Sequence, residues 1–586
     1  MIVDSRISAG RRKFLKQVGA AAATSLPMSG CIALAQSSTG TTSGPVAAVV
    51  KNQAPGAQPV LAAQSKVIRL TQRYLNIPIS RRAKPQLFQI SIEGTVKREF
   101  PVQLAEDSID YWIFIDVGEF KGQTITLYGP STQAWLNRVY QADNIHGAAS
   151  LYMEPDRPKF HFTVKRGWNN DVNGPIFYKG QYHLFWQAFP YGVDWDTGFM
   201  CWGHAVSRDL IHWEELDLAL RPDKLGAAWS GTGFIDRNND GGWGKDALVL
   251  VYTAFNRTSH KQVQCLAYST DNAATFTHFA GNPVIDSNRE AGTNDTRDPK
   301  VFWYEPAKHW VMVLFEKDGM SFFSSTDLKA WTRQSHFKGL HECPDFFELL
   351  VDGDASHKKW VLHGGSSSYF IGSFDGKTFT AESPALRYAE GVNANGDDVL
   401  YAAQSFAEMP DNRRVQIAWG RINQPGMSFN QMMLFPTEFK LTTTKNGLRL
   451  LARPIKEIER LHLKEHVWSS LSAADASRRL QGIAPGPLHV RMQIALEKDD
   501  ALTIRYRGSS LAIIQFGDLE NGKGSVEILI DKPVAEIFVD GGTRYIAREM
   551  PAATNGQSLE FGLGRTGSLL DRLEVFEMKS MWKTRA

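Results

Sequence analysis

One pattern recurs five times along this chain and constrains its fold more than any other feature. A hydrophobic strand returns at residues 183–187, 248–253, 310–314, 360–363 and 415–419, at intervals of roughly 50 to 65 residues. Four copies lead into a Ser-x-Asp turn and then an aromatic residue. These are Ser207-Arg208-Asp209 with Trp213, Ser269-Thr270-Asp271 with Phe276, Ser325-Thr326-Asp327 with Trp331, and Ser373-Phe374-Asp375 with Phe379. A unit of this length holds four short strands with loops, too little to bury a hydrophobic face alone. Stacking such units radially predicts a β-propeller, and five copies predict five blades. A solenoid is the lesser choice, because no short strict period runs through the sequence.

Three carboxylates occupy matching places in that repeat. Asp171 lies in Trp168-Asn169-Asn170-Asp171-Val172-Asn173-Gly174, Asp298 in Arg297-Asp298-Pro299 and Glu342 in Glu342-Cys343-Pro344-Asp345. Each precedes its hydrophobic strand by 12 to 18 residues, as do Ser230 and Asp398 in the remaining two units. If the first strand of each blade lines a central channel, all five positions face one axial pocket. Converging acids suit glycosidic bond cleavage: one protonates the leaving oxygen, and another serves as nucleophile or as the base for water. A carboxyl group buried beside another carboxylate also keeps its proton towards neutral pH. On this logic any two of the three could form the working pair.

The flanking segments read as separate units. Arg11-Arg12-Lys13 before an Ala-rich run ending Ala33-Leu34-Ala35 predicts an export signal of twin-arginine type over 1–35, for a periplasmic or extracellular destination. Lipoprotein attachment at Cys31 is the alternative; Pro27 and Gly30 argue against a membrane anchor. Residues 36–65 form a low-complexity linker. Alternating runs such as Phe88-Gln89-Ile90-Ser91-Ile92 predict a small β-domain over 66–150. The propeller is expected over 155–460. Further alternation and the turn Asp540-Gly541-Gly542 predict a β-sandwich over 465–582.

Composition excludes several functions. The net charge is +3, and the leader alone carries five basic residues against one acid, so the remainder is near −1. No basic stripe offers a nucleic-acid surface. The four cysteines include Cys31 in the leader, so a disulfide framework is not expected. Cys201 and Cys265 read as structural, and Cys343 as support for the Glu342 loop. No Cys/His spacing suits a metal, no glycine motif suits a nucleotide, and no cofactor is expected. With 16 Trp, flat apolar faces for sugar rings are available.

Short motifs across residues 158–580 resemble glycoside hydrolase family 32, which comprises invertases, inulinases, levanases and related fructosyl enzymes. They include Trp168–Gly174, Tyr182-His183-Leu184-Phe185-Trp186-Gln187, Trp202-Gly203-His204-Ala205, Trp229-Ser230-Gly231, Arg297-Asp298-Pro299, Glu342-Cys343-Pro344 and Phe429-Asn430-Gln431-Met432-Met433. The resemblance implies a retaining β-fructosidase acting on terminal fructosyl units of levan, inulin or sucrose-type substrates. It implies Asp171 as nucleophile, Glu342 as general acid and base, and Asp298 as stabiliser of the transition state beside Arg297. Trp168, Asn170, Gln187, Trp229, Ser230 and Trp419 would line the sugar pocket. Trp202 and His204 fit either pocket or core. The sequence departs from the family pattern at Asn169, Val172, Ala188 and Phe189. A fructosyltransferase or a non-catalytic fructan-binding protein would be compatible with the same residues, and the oligomeric state is left open.

Overall fold

The computed structural model describes residues 64–129, 134–286, 293–551, 559–565 and 567–582. The expected export signal, Cys31 and nearly all of the linker lie outside the described residues. No helix among the described residues is long and apolar enough to cross a membrane.

The centre of the molecule is a β-propeller. Among the described residues, five antiparallel groups follow one another, opening with Gly167–Tyr178, Ala227–Asp236, Thr296–Tyr304, Asp345–Val351 and Leu400–Ser405. The recurrent hydrophobic strand is the second strand of each group: Gln181–Phe189, Ala247–Phe255, His309–Glu316, Asp354–His363 and Arg414–Gly420. These strands read as apolar runs because neighbouring sheets cover both of their faces; Ala247–Phe255 is buried along its whole length. Each Ser-x-Asp sequence turns the chain after the third strand. Asp209 accepts from the N–H groups of Ile211 and His212, Asp327 from Lys329 and Ala330, and Asp375 from Lys377 and Thr378. These are local carboxylate-to-backbone turns, and their role is structural.

Asp171 and Asp298 therefore lie inside first strands, one element ahead of the strand that marks the repeat. All five first strands slip register against their partners. In Asp345–Val351 the slip falls at the far end, between Leu350 and Val351, and in the other four a slip falls near the candidate site. Those four fall between Asn169 and Val172, Ala228 and Gly231, Arg297 and Lys300, and Tyr401 and Gln404. A bulge leaves an extra residue unpaired and re-aims its side chain. Each of the four brackets residues of the candidate site. First strands also approach one another closely around the axis. A Cβ on Gly174 would sit 2.6 Å from the Gly233 nitrogen, so packing requires glycine there.

Two further β-units flank the propeller. Strands between Gln64–Arg69 and Tyr140–Ala142 form two small sheets whose core includes Ile77, Phe88, Ile90 and Ile113. Phe100 of this unit stacks on Tyr191 of the propeller at 3.9 Å between ring centroids. At the C-terminal end, a seven-stranded sheet faces a three-stranded one across a core containing Val490, Ile528, Leu502, Ile504 and Ile514. The Asp540–Gly542 turn joins two strands of the larger sheet. The strand His462–Leu471 enters that sheet slightly ahead of the expected start at 465. One helix, Ala473–Gln481, was not expected; Ser472 caps it by accepting from the Asp475 N–H, and it buries Ala473, Ala476 and Leu480.

A buried charge network couples the sandwich to the propeller. His161, fully buried, faces Asp531 through Nδ1 at 2.9 Å and Glu536 through Nε2. Asp531 also accepts from the N–H groups of Lys159, Phe160 and His161, and Glu536 from Phe435. Burial opposes a charge on His161, but the two carboxylates outweigh it and hold its pKa at about 9. A raised histidine pKa stabilises the fold fully below about pH 6.5, and the gain is lost as pH rises through about 9. Thermal unfolding is expected to weaken across that window. His161→Gln should abolish this component and destabilise by about 3–5 kcal/mol at pH 7. A variant whose melting temperature tracks the parent at every pH would refute the coupling.

Candidate active site

The bulged first strands and the loop before Asp345–Val351 bring Asp171, Asp298 and Glu342 together on the propeller axis. All three are nearly inaccessible, with exposures of 4%, 4% and 0%. A continuous run of contacts joins them. Ser230 Oγ donates to Asp171 Oδ2 at 2.8 Å. The Cys343 thiol lies 3.6 Å from the same oxygen and 3.4 Å from Asp298 Oδ2. The Cys343 N–H donates to Asp298 Oδ2 at 3.0 Å. Arg297 donates to Glu342 Oε2 from Nε at 3.1 Å and Nη2 at 2.9 Å, and its Nε is 3.8 Å from Asp298 Oδ2. Tyr401 Oη donates to Glu342 Oε1 at 2.6 Å.

The backbone is shaped to present these groups. Asp298, Glu342, Cys343 and Ala402 all have positive φ, between 34° and 64°. Left-handed non-glycine residues cost on the order of 1–3 kcal/mol each and persist where surrounding contacts hold them. Here the Asp298 N–H donates to Thr253 Oγ1, the Gly365 N–H to the Glu342 carbonyl, and the Ala402 N–H to the Gly365 carbonyl. Gly365 also leaves room for Tyr401, whose ring would be 2.9 Å from a Cβ there.

Crowding of acids perturbs their chemistry. Burial, together with the neighbouring Glu342 and Asp171 charges, pushes the Asp298 carboxyl up to about 7, against the opposing pull of Arg297 and the Cys343 N–H. Asp171 Oδ1 is buried and has no hydrogen-bond partner. An unsatisfied buried carboxylate oxygen is costly; at a nucleophile it is the atom that would meet substrate.

The expected pocket residues surround this centre. Trp168, Trp229 and Trp419 are half-buried, with their indole N–H groups held by Asn170 Oδ1, the Thr197 carbonyl and Gln431 Oε1. Trp229 also stacks one ring face on Phe255 at 4.1 Å between centroids, which leaves only its other face for an apolar sugar surface. Gln187 donates to the Ala228 carbonyl, and Asn170 and Ser230 are buried beside Asp171 in sequence or contact. Trp202 and His204 belong to the core: Trp202 is fully buried and donates to the Trp229 carbonyl, and His204 packs on Phe185 and His183. Asp398 does not join the acids. Its carboxylate pairs with Arg387 at 3.0 Å, and the bulge three residues later delivers Tyr401 instead. Sequence reasoning missed Tyr401; an aromatic residue inside an apolar strand carries no signal of its own. The departures at Asn169, Val172, Ala188 and Phe189 are all buried, and Asn169 stands opposite Ala188 across the sheet. They repack the first two strands without adding a group to the site.

The chain is similar to known proteins over most of its length. Residues 161–454 match the family described as the glycosyl hydrolases family 32 N-terminal domain. A levanase of Bacillus subtilis is 34% identical over 512 residues, covering 77% of this chain and 74% of the relative. An extracellular exo-inulinase of Aspergillus awamori is 33% identical over 373 residues, covering 55% of this chain and 67% of the relative. Among solved structures, exo-inulinase from Aspergillus awamori superposes with a TM-score of 0.62 at 25% identity, covering 74% of this chain and 100% of that one. Fructan 1-exohydrolase IIa from Cichorium intybus shares the fold, with a TM-score of 0.60 at 22% identity over 73% of this chain and 98% of that one.

The raised Asp298 pKa has a thermodynamic signature. A carboxyl whose pKa rises on folding stabilises the protein below about pH 4, and that contribution is lost as pH climbs to about 7. Asp298→Asn cannot titrate. Its melting temperature relative to the parent is expected to rise between pH 4.5 and 8, by an equivalent of up to a few kcal/mol. A difference that stays constant across this range would show that Asp298 is not held protonated.

Proposed function

As the chain belongs to glycoside hydrolase family 32, we propose that it is a retaining β-fructosidase that removes terminal β-D-fructofuranosyl units from fructans of levan or inulin type, and from sucrose. The observation that carries this reading is the burial of Asp171, Asp298 and Glu342 around Cys343 and Arg297 on one axis. In the first step Asp171 attacks the anomeric carbon of the fructosyl unit while Glu342 gives its proton to the glycosidic oxygen. The glycosidic bond breaks, and a covalent fructosyl–Asp171 ester forms. In the second step Glu342, now a base, takes a proton from water, which attacks the same carbon and releases Asp171. Two inversions give net retention.

The other groups have roles that follow from their contacts. Ser230 donates to Asp171 and keeps one oxygen oriented while Oδ1 faces the sugar. Tyr401 and Arg297 hold the two Glu342 oxygens. In its ionised form Asp298 accepts hydrogen bonds from fructose hydroxyls and stabilises positive charge developing at the anomeric carbon. Trp168, Trp229 and Trp419 offer ring faces to the substrate. Levanase and exo-inulinase relatives support a fructan substrate, and an extracellular relative supports export, here through the leader at 1–35.

Asp171→Ala should lower kcat on the order of 10⁴-fold or more, and Glu342→Gln by about 10²–10⁴-fold. Wild-type rates in both variants would end the catalytic assignment. Products from levan, inulin and sucrose, assayed side by side, are expected to be free fructose with retained configuration. Longer fructans accumulating at high sucrose would indicate a transferase instead, and short fructo-oligosaccharides would indicate endo action.

A further inference from the structure

Three residues past Glu342, a second acid is buried that the proposed reaction does not use. Asp345 has no exposed surface, and its carboxylate reaches three groups of the propeller. Oδ1 pairs with Lys300 Nζ at 2.9 Å and accepts from the Phe346 N–H at 3.0 Å. Oδ2 accepts from the Ser405 N–H at 2.7 Å, and His363 Nε2 lies 3.6 Å from it. Lys300 stands two residues after Asp298, and Ser405 four after Tyr401. Asp345 thus joins the strand carrying Asp298, the loop carrying Glu342 and the strand carrying Tyr401 at one point beneath the site.

We infer that Asp345 is a positioning residue that sets the separation of Glu342 from Asp298 through its ion pair with Lys300. This inference rests on the catalytic reading of Glu342 given above. Glu342 and Cys343 sit in left-handed backbone just ahead of the strand Asp345–Val351. The strand that follows them begins at Asp345, so an anchor there fixes where the strained pair emerges. Lys300 is itself 6% exposed, and its ammonium faces the carboxylate across the space between the two strands. A stability role alone would not need an ion pair, since apolar residues of similar volume often replace a buried pair without loss. Catalysis does need the geometry: an error near 1 Å can lower the rate about 10²-fold.

The test compares Asp345→Asn with the double variant Lys300→Met/Asp345→Leu, on the full chain. Asparagine has one oxygen and keeps either the Phe346 or the Ser405 N–H contact, not both, and the attraction to Lys300 is lost. It should lower kcat about 10- to 100-fold with KM within about two-fold, and shift the pH profile of kcat/KM, because Glu342 moves relative to Arg297 and Asp298. The double variant removes both charges and keeps an apolar fill but leaves the Phe346 and Ser405 N–H groups without their acceptor; it is expected to melt below the parent and, assayed where it is folded, to remain slow. Parental kcat and pH profile in the folded double variant would overturn the inference, as would a rate loss in Asp345→Asn that merely follows its unfolded fraction. Either result leaves the catalytic reading intact if Asp171→Ala and Glu342→Gln are inactive; active forms of those two would fail the reading itself.

Discussion

Everything at the centre of this protein follows from burying three carboxylates together on one axis. Buried like charges repel and are poorly solvated, so they need compensation from fixed donors. Arg297 supplies most of it, bridging Glu342 and Asp298 from one guanidinium. The Cys343 N–H, Ser230 and Tyr401 supply the rest, one to each acid. The compensation is uneven: Asp298 is pushed to about 7, while Asp171 keeps a bare oxygen. Unequal environments let chemically similar acids take different parts in one reaction.

That arrangement demands a backbone that regular strands cannot provide. A pleated strand alternates its side chains between faces, whereas the axis of a propeller meets first strands edge-on. Bulges at matching places in four first strands resolve the mismatch, and left-handed residues at Asp298, Glu342, Cys343 and Ala402 complete it. The strain is held by buried polar cross-links. Gln404 donates to the Gly231 carbonyl and accepts from the Gly174 N–H, and Thr232 donates to the Pro299 carbonyl. These bonds run between blades, so the geometry of the site and the closure of the ring depend on the same contacts.

The outer units connect through different contacts at each side. The N-terminal unit meets the propeller with aromatic stacking, Phe100 on Tyr191, and with the ion pairs Arg73–Asp217 and Arg257–Glu99. The sandwich meets it with charge, His161 between Asp531 and Glu536, and Tyr545 donating to Glu536. Stacked rings resist separation whatever the pH. The histidine network is strong only while protonated, which makes the sandwich boundary pH-dependent.

Much of this was legible in the amino-acid order. The recurring apolar strands and Ser-x-Asp turns marked the propeller because burial on both faces and local turn chemistry leave periodic traces. Asp171, Asp298, Glu342 and Arg297 stood out because short motifs hold them in fixed company. Other features left no such trace. Tyr401 rather than Asp398 reaches the acids because a bulge re-aims the chain, and a bulge is a register event between two strands. Trp202 and His204 sit in motifs yet belong to the core, since motif membership does not say which way a side chain points. The Lys300–Asp345 pair joins residues 45 apart in sequence, and their contact exists only once the third and fourth groups close around the axis. The sequence by itself determined which strands and which acids this protein has. Tertiary structure decided which of them face one another, because register, bulges and the approach of first strands are properties of packed pairs.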